Sequence, residues 1–375
     1  AETIVRHAKE NGYDLIVMGT HGRGGLGAAV FTFNYSCVPH PQLYIETRCT
    51  PQYAYDLAFI RRATEALGLR LAVSTGTTPR AAARALDAAL AAGRPAICVV
   101  DANALPHHGG ARELGAIPWV VVVHEVRGDD VVITDRSRVT FEMSRRALDE
   151  ARAAFAKGKG AVAVVEGDAI GDLRPGVRAG VAHCVAELAG REVKKGFGSN
   201  FGLRSLEKWI GEVEARGKKG WRTTFAPGAP LAAGLRQAFH WVETSGTGGG
   251  GFRRLYADFL REGATIAGDA RFGEVAKRYD ALAGAWTTLF TSLLPDGTPL
   301  GAMRRLLLVR AEGVRNGDPR ERLQALDREM QALVDQCAPF PVDAEETYVA
   351  LAEGLRALVA AERDAAASLR ELATG

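Results

Sequence analysis

The chain has 375 residues, is 47% hydrophobic and 24% charged, and carries a net charge of +3, so it has room for two globular domains and too little charge to point to nucleic acid. No apolar run reaches the roughly 18 residues that a membrane helix needs, and the polar start through Asp14 is not a signal peptide. Five scattered cysteines without a CxxC pair argue against a disulfide scaffold and a zinc site, so a cytoplasmic protein without metal or cofactor is expected.

Residues 2–11 pattern as a helix, and Leu15-Ile-Val-Met18 as a short buried strand before a glycine-rich turn from Gly19 to Gly27. Strands are expected at Val30–Tyr35 and Leu43–Glu46. Thr50 and Pro51 cap and open a helix to about Leu67, and a second helix runs from Pro79 to Ala92, stopped by Gly93. Pro95–Val100 reads as a buried strand, and Trp119–Val126 with Val131–Thr134 as a hairpin across Arg127-Gly-Asp-Asp130. From about residue 145 the pattern turns helical. Phe272, Val275, Tyr279, Leu282, Trp286, Leu289 and Leu293 recur at helical steps, as do Leu323, Leu326, Met330, Leu333, Val334 and Cys337. Asp343 with Glu346 resembles a capping box for a last long helix that carries Tyr348, Leu351, Leu355, Leu358 and Val359 inward. These stripes are core positions, Cys337 included.

Charge is uneven along the chain. Residues 191–222 hold nine Lys and Arg against four acids, a local excess of +5 that suggests an acidic partner or, more simply, a solvated helix face.

Two resemblances sit on specific runs. Asp14-Leu-Ile-Val-Met-Gly-Thr-His-Gly-Arg-Gly-Gly-Leu-Gly27 resembles the last helix, strand and loop of a universal stress protein. Such domains cradle ATP phosphates with a glycine pair followed by Gly-Ser/Thr. Here Gly19 and Gly22 match, but the later pair falls at Thr32-Phe33. Residues 28–375 resemble the butirosin biosynthesis protein H family. The runs that carry this include Leu43-Tyr-Ile-Glu-Thr-Arg-Cys-Thr-Pro-Gln52, Val120 to Arg136, Asn200 to Trp209, Lys218-Lys-Gly-Trp221 and Gly246 to Leu260. The resemblance implies an α+β fold, with a papain-like (cysteine-peptidase-like) α/β domain over 28–190 and a mostly α-helical domain over 191–375, behind a stress-protein-like fragment at 1–27. It also implies an acyltransferase of secondary metabolism, moving an acyl group from an acidic acyl carrier protein to a small-molecule amine. The basic residues of 191–222 would face the carrier. No nucleic acid and no membrane enter this reading.

Thioester chemistry suits a cysteine nucleophile, a histidine that shuttles the proton and a carboxylate that orients the histidine. In papain-like proteins these follow the order Cys at a helix start, His on a strand, then Asp or Asn. Asp135 ends the second hairpin strand, and His124 lies on the first, so the two are expected to pair. The family's histidine comes nearer the strand start, about where Pro118-Trp119 stand here, and His107 and His108 compete from a loop. The family nucleophile belongs upstream of Gly24-Gly-Leu-Gly-Ala28, where this chain has no cysteine. Cys49, directly before Thr50-Pro51, is the best substitute; its alternative role is a buried structural thiol, and Cys37 is weaker. Gly248, Gly249 and Gly250, followed by Arg253 and Arg254 at a helix start, would suit the phosphate of a phosphopantetheine, or serve as a hinge.

The expectation is therefore an acyltransferase- or amidohydrolase-like enzyme whose cysteine site is incomplete. The alternatives are a non-catalytic scaffold of the same fold and a nucleotide-binding stress protein.

Overall fold

A computed structural model describes residues 32–36, 42–46, 57–76, 78–105, 107–108, 118–135, 137–167, 171–189, 202–217, 220–245 and 248–374. The expected helix at 2–11, the strand at 15–18, the glycine-rich turn and the first half of the Pro51–Leu67 helix lie outside them. The fold is α+β. It divides into two compact units. Among the described residues the first holds 57–172 and 312–325, and the second holds 32–46, 173–311 and 326–374.

In the second unit β1 (Thr32–Ser36) pairs antiparallel with β2 (Gln42–Glu46). In the first unit β3 (Arg70–Ser74), β4 (Ala96–Asp101), β5 (Pro118–Arg127), β6 (Asp130–Thr134), β7 (Phe141–Ser144) and β8 (Val162–Glu166) form one sheet. Its order is β3-β8-β4-β5-β6-β7, antiparallel throughout. Alternation along the strands gives the sheet two buried faces. Cys98, Val100, Val121, Val123, Val131, Ile133 and Met143 point to one, where α2 (Pro79–Ala91) and α3 (Arg145–Ala154) cover them with Leu86, Ala89, Leu148 and Ala151. Ile97, Val99 and Ala163 point to the other, against Leu57, Ile60 and Phe155, with Val120 and Val122 alongside. Ile60 belongs to α1 (Ala58–Ala66). Both helices on the first face start with hydroxyl caps: Thr78 Oγ1 accepts from Ala81 N, and Ser144 Oγ from Ala147 N.

The pattern that was expected to be helical from 145 onward is interrupted by β8, which inserts between β3 and β4. The helices beyond it are α4 (Arg174–Leu188), α5 (Leu203–Glu214), α6 (Trp221–Thr224), α7 (Ala229–Phe239) and α8 (Arg253–Ala267). The last four are α9 (Arg271–Ser292), α10 (Pro299–Asn316), α11 (Arg320–Asp335) and α12 (Ala344–Thr374). Phe272, Val275, Tyr279, Leu282 and Trp286 of α9 are buried, as are Tyr348, Leu351, Leu355, Leu358 and Val359 of α12. Asp343 Oδ1 accepts from Glu346 N at 2.8 Å, the forward half of the expected capping box. Cys337 is buried. Among the described residues no helix is long and apolar enough to cross a membrane.

Candidate functional site

One end of the six-stranded sheet gathers the polar chemistry. β4 stops at Asp101, whose Oδ1 accepts from Asn103 N and turns the chain into a short 3-10 segment. Leu105, fully buried, anchors the end of that segment, and His108 N donates back to its carbonyl. His107 and His108 are thereby set beside Trp119 at the start of β5, Asp135 just past the end of β6, and Phe141 at the start of β7. The strand pairing requires this: Val100 lies opposite Trp119, and Ile133 opposite Phe141.

Three donors converge on one carboxylate oxygen. Nε2 of His107 lies 2.9 Å from Asp135 Oδ2, Nε2 of His108 lies 2.7 Å from it, and Trp119 Nε1 lies 3.3 Å away. The second oxygen, Oδ1, accepts from Ser137 N at 2.9 Å, and the Ser137 hydroxyl donates to Val314 O. The Asp135 side chain is fully buried, and those of His107 and His108 are only 7% and 9% exposed. Burial alone would raise the Asp135 carboxyl, but the bonds and charge of His107 and His108 outweigh it and hold the group far below the usual carboxylate range. A carboxylate can only accept, so both imidazoles present Nε2–H to it. His107 stacks on Phe141 at 3.6 Å between ring centroids, and its Nδ1 is buried with no hydrogen-bond partner among the described residues. His108 meets Trp119 edge-on at 5.0 Å.

The expected pairing of His124 with Asp135 does not form. His124 Nε2 bonds Thr134 Oγ1 instead. Two features separate the pair. Asp135 continues the alternation of Val131 and Ile133, toward the face covered by α2 and α3, whereas Thr134 falls on the alternate side with Val132. A bulge between Val123 and Glu125 also breaks the hairpin register at His124. Cys49 and Cys37 lie outside the described residues. Cys98, Cys184 and Cys337 are buried and form no disulfide with one another. Burial pushes the Cys98 thiol up to about 11, so it carries no thiolate near neutral pH.

The glycine run is occupied by the protein itself. Gly248, Gly249, Gly250 and Gly251 all take positive φ, and Gly250 N donates to Glu243 Oε1 at 3.1 Å. Glu243 thus puts a carboxylate where the phosphate was expected. Its carboxyl is raised, chiefly by burial, against the bonds from Gly250 and Thr287 and the charge of Arg254. Arg253 is not open to a ligand. It is fully buried, with Nε donating to Glu362 Oε1 at 2.7 Å and a second nitrogen, on its guanidinium fork, donating to Gly251 O at 2.6 Å. Arg254, at the same helix start, is exposed. Within the basic segment, Arg216 and Arg222 pair with Glu345, while Lys194, Lys195, Lys218 and Lys219 lie outside the described residues.

Comparison with family models divides the chain in three. Residues 26–136 match the family described as Butirosin biosynthesis protein H, N-terminal, which contains His107, His108, Trp119, His124 and Asp135. Residues 146–297 match a domain of unknown function (DUF4872), which contains the glycine run. Residues 1–32 match the universal stress protein family. A search of curated proteins finds no match. The likeness of residues 26–136 is therefore to a biosynthetic protein, behind a stress-protein-like segment.

Proposed function

We propose that the protein is a cysteine-dependent acyltransferase of biosynthesis, in which Asp135 orients His108 as the base and Cys49 carries the acyl group. The observation that carries this reading is the buried, ionised Asp135 bound to Nε2 of His108. That bond fixes the tautomer and turns Nδ1 away from the carboxylate, as the orienting member of a triad does for its imidazole. His107 is the weaker candidate, because Phe141 covers its ring and its Nδ1 is enclosed. His124 is held by Thr134 and takes no part.

In the first half-reaction the Cys49 sulfur gives its proton to His108 and bonds to the thioester carbonyl carbon. The bond from that carbon to the donor sulfur breaks, and the departing thiolate takes the proton back. In the second half-reaction an amine attacks the acyl-cysteine, His108 accepts the amine proton, and the Cys49 sulfur leaves with the bonding pair. The carrier-protein donor and amine acceptor are what the resemblance to the butirosin biosynthesis protein H family implies.

The test incubates metal-free, full-length protein with a short acyl thioester of N-acetylcysteamine and reads its intact mass. One acyl adduct, mapped to Cys49, absent in Cys49→Ser and formed about 100-fold or more slowly in His108→Ala, is expected, since loss of a general base costs roughly 10²–10⁴. No adduct, or one on Cys98, Cys184 or Cys337, overturns the proposal.

A further inference from the structure

We propose that His107 Nε2, His108 Nε2 and Asp135 Oδ2 form a site for one divalent transition-metal ion, of the kind that takes imidazole and carboxylate ligands. The sequence expectation of no zinc site rests on the cysteines, and this site uses none of them. The three ligand atoms lie within 4.8 Å of one another, and the two contacts to Asp135 are 2.9 and 2.7 Å. Ligand atoms bound to one ion at roughly 2.0–2.1 Å sit about 3.3 Å apart, so the two contacts to Asp135 are already near ligand spacing, and the two imidazole nitrogens, within 4.8 Å of each other, close by up to about 1.5 Å to admit an ion. Two imidazoles and one carboxylate suit zinc, cobalt or iron(II) better than calcium or magnesium, which prefer all-oxygen cages. Three protein ligands leave a position open for water or a substrate group.

The surroundings are those of a prepared site. Sequence neighbours rarely aim both side chains at one atom; here the turn after β4 makes His107 and His108 do so. Stacking on Phe141 fixes the His107 ring, edge contact with Trp119 fixes that of His108, and Ser137 N holds the other oxygen of Asp135. Such outer contacts hold the ligand groups near one another, as they do at metal sites. The consequence for regulation rests on the acyl-transfer reading, because the site shares its histidines with the base. An imidazole ligated through Nε2 keeps its proton on Nδ1 and accepts no other, so a bound ion stops proton shuttling by His108.

The experiment reads binding directly, not activity. Chelator-stripped full-length protein is titrated with Co²⁺ and followed by its visible spectrum, and with Zn²⁺ by calorimetry. The expected result is one equivalent bound, a d–d spectrum without a thiolate charge-transfer band, and loss of affinity in His107→Ala and in His108→Ala. Each loss should exceed the roughly 10–100-fold that removal of an outer partner costs. X-ray absorption on the wild-type Zn²⁺ complex counts nitrogen and oxygen against sulfur neighbours, and so decides the matter even if a variant fails to fold. No stoichiometric binding, sulfur ligands, or unchanged affinity in folded variants would overturn the metal site. The acyl-adduct experiment is run metal-free, so its failure would leave this result standing, and the reverse.

Discussion

The ion pair between Arg253 and Glu362 offers a test of how the helical unit is held together. Both side chains are buried, at 0% and 1% exposure. Glu362 Oε1 accepts from Arg253 Nε at 2.7 Å and from Trp286 Nε1 at 2.8 Å, and the guanidinium lies over the Trp286 ring at 5.2 Å. Changing Glu362 to Leu leaves a buried cation without its counter-charge and an indole N–H without its acceptor, and a broken buried pair costs about 3–5 kcal/mol. The double change Arg253→Met with Glu362→Leu removes the cation as well. It still orphans the indole N–H, at about 1–3 kcal/mol, and forfeits the cation–ring attraction, about 0.5–2 kcal/mol. It also leaves Gly251 O without its donor. The double variant should therefore be no less stable than Glu362→Leu alone, with a coupling of at least about 2 kcal/mol across the cycle. Urea unfolding followed by tryptophan fluorescence supplies the four free energies, with the slope checked for constancy. A loss under about 1 kcal/mol for Glu362→Leu, or strict additivity of the two changes, would refute the claim that this carboxylate neutralises a desolvated arginine.

Two further outcomes rest on single positions. Gly250 has φ +59° and an added Cβ would come within 2.7 Å of Ala283 backbone atoms, so Gly250→Ala combines left-handed strain with overpacking. Its expected cost is about 2–4 kcal/mol, read by thermal unfolding. Tyr348 donates to Phe225 O at 2.6 Å, and burial pushes its hydroxyl up to about 12. A raised folded-state value means that the native state holds the proton more tightly. The contribution is complete below the unfolded value of 10.0 and is lost as pH climbs from about 10 toward 12. Tyr348→Phe should flatten that alkaline decline in a pH series of melts while costing about 1 kcal/mol at neutral pH. An unchanged alkaline slope would count against it.

The features legible in the sequence are local ones. The Pro79–Ala91 helix, the strand at Ala96–Asp101, the hairpin and the capped start of α12 each have signals within a few residues of their ends. Strands β3, β7 and β8 are not legible because they are four or five residues long, and β3 and β8 have remote partners; β8 pairs with segments about 65 and about 90 residues upstream. The position of Asp135 at a strand end is legible. Its neighbours are not: His107 and His108 arrive through a turn whose path no periodicity encodes, and the bulge at Val123/Glu125 that displaces His124 leaves no sequence mark. The glycine run misleads for the same reason. Its positive-φ backbone does cradle an acid, but that acid is Glu243 from the preceding helical segment, and the buried partner of Arg253 lies 109 residues away.

Asp135 and Glu362 show why two buried carboxylates with similar donor sets belong to different roles. Glu362 Oε1 takes a permanent cation from the start of α8 and one indole from within α9, both buried, so nothing in its set exchanges. Asp135 Oδ2 is approached by three N–H groups, although one carboxylate oxygen offers only about two lone-pair sites. The contacts are graded: His108 is shortest, His107 next, and Trp119, at 3.3 Å, lies beyond the ordinary hydrogen-bond range. If one imidazole turns to a substrate, or both take a metal ion, the remaining donors and Ser137 N keep the carboxylate from being stranded. Losing a donor is therefore cheap at Asp135 and expensive at Glu362. That surplus of exchangeable donors is why the proposed chemistry is assigned to the end of the sheet and the buried arginine pair to structure.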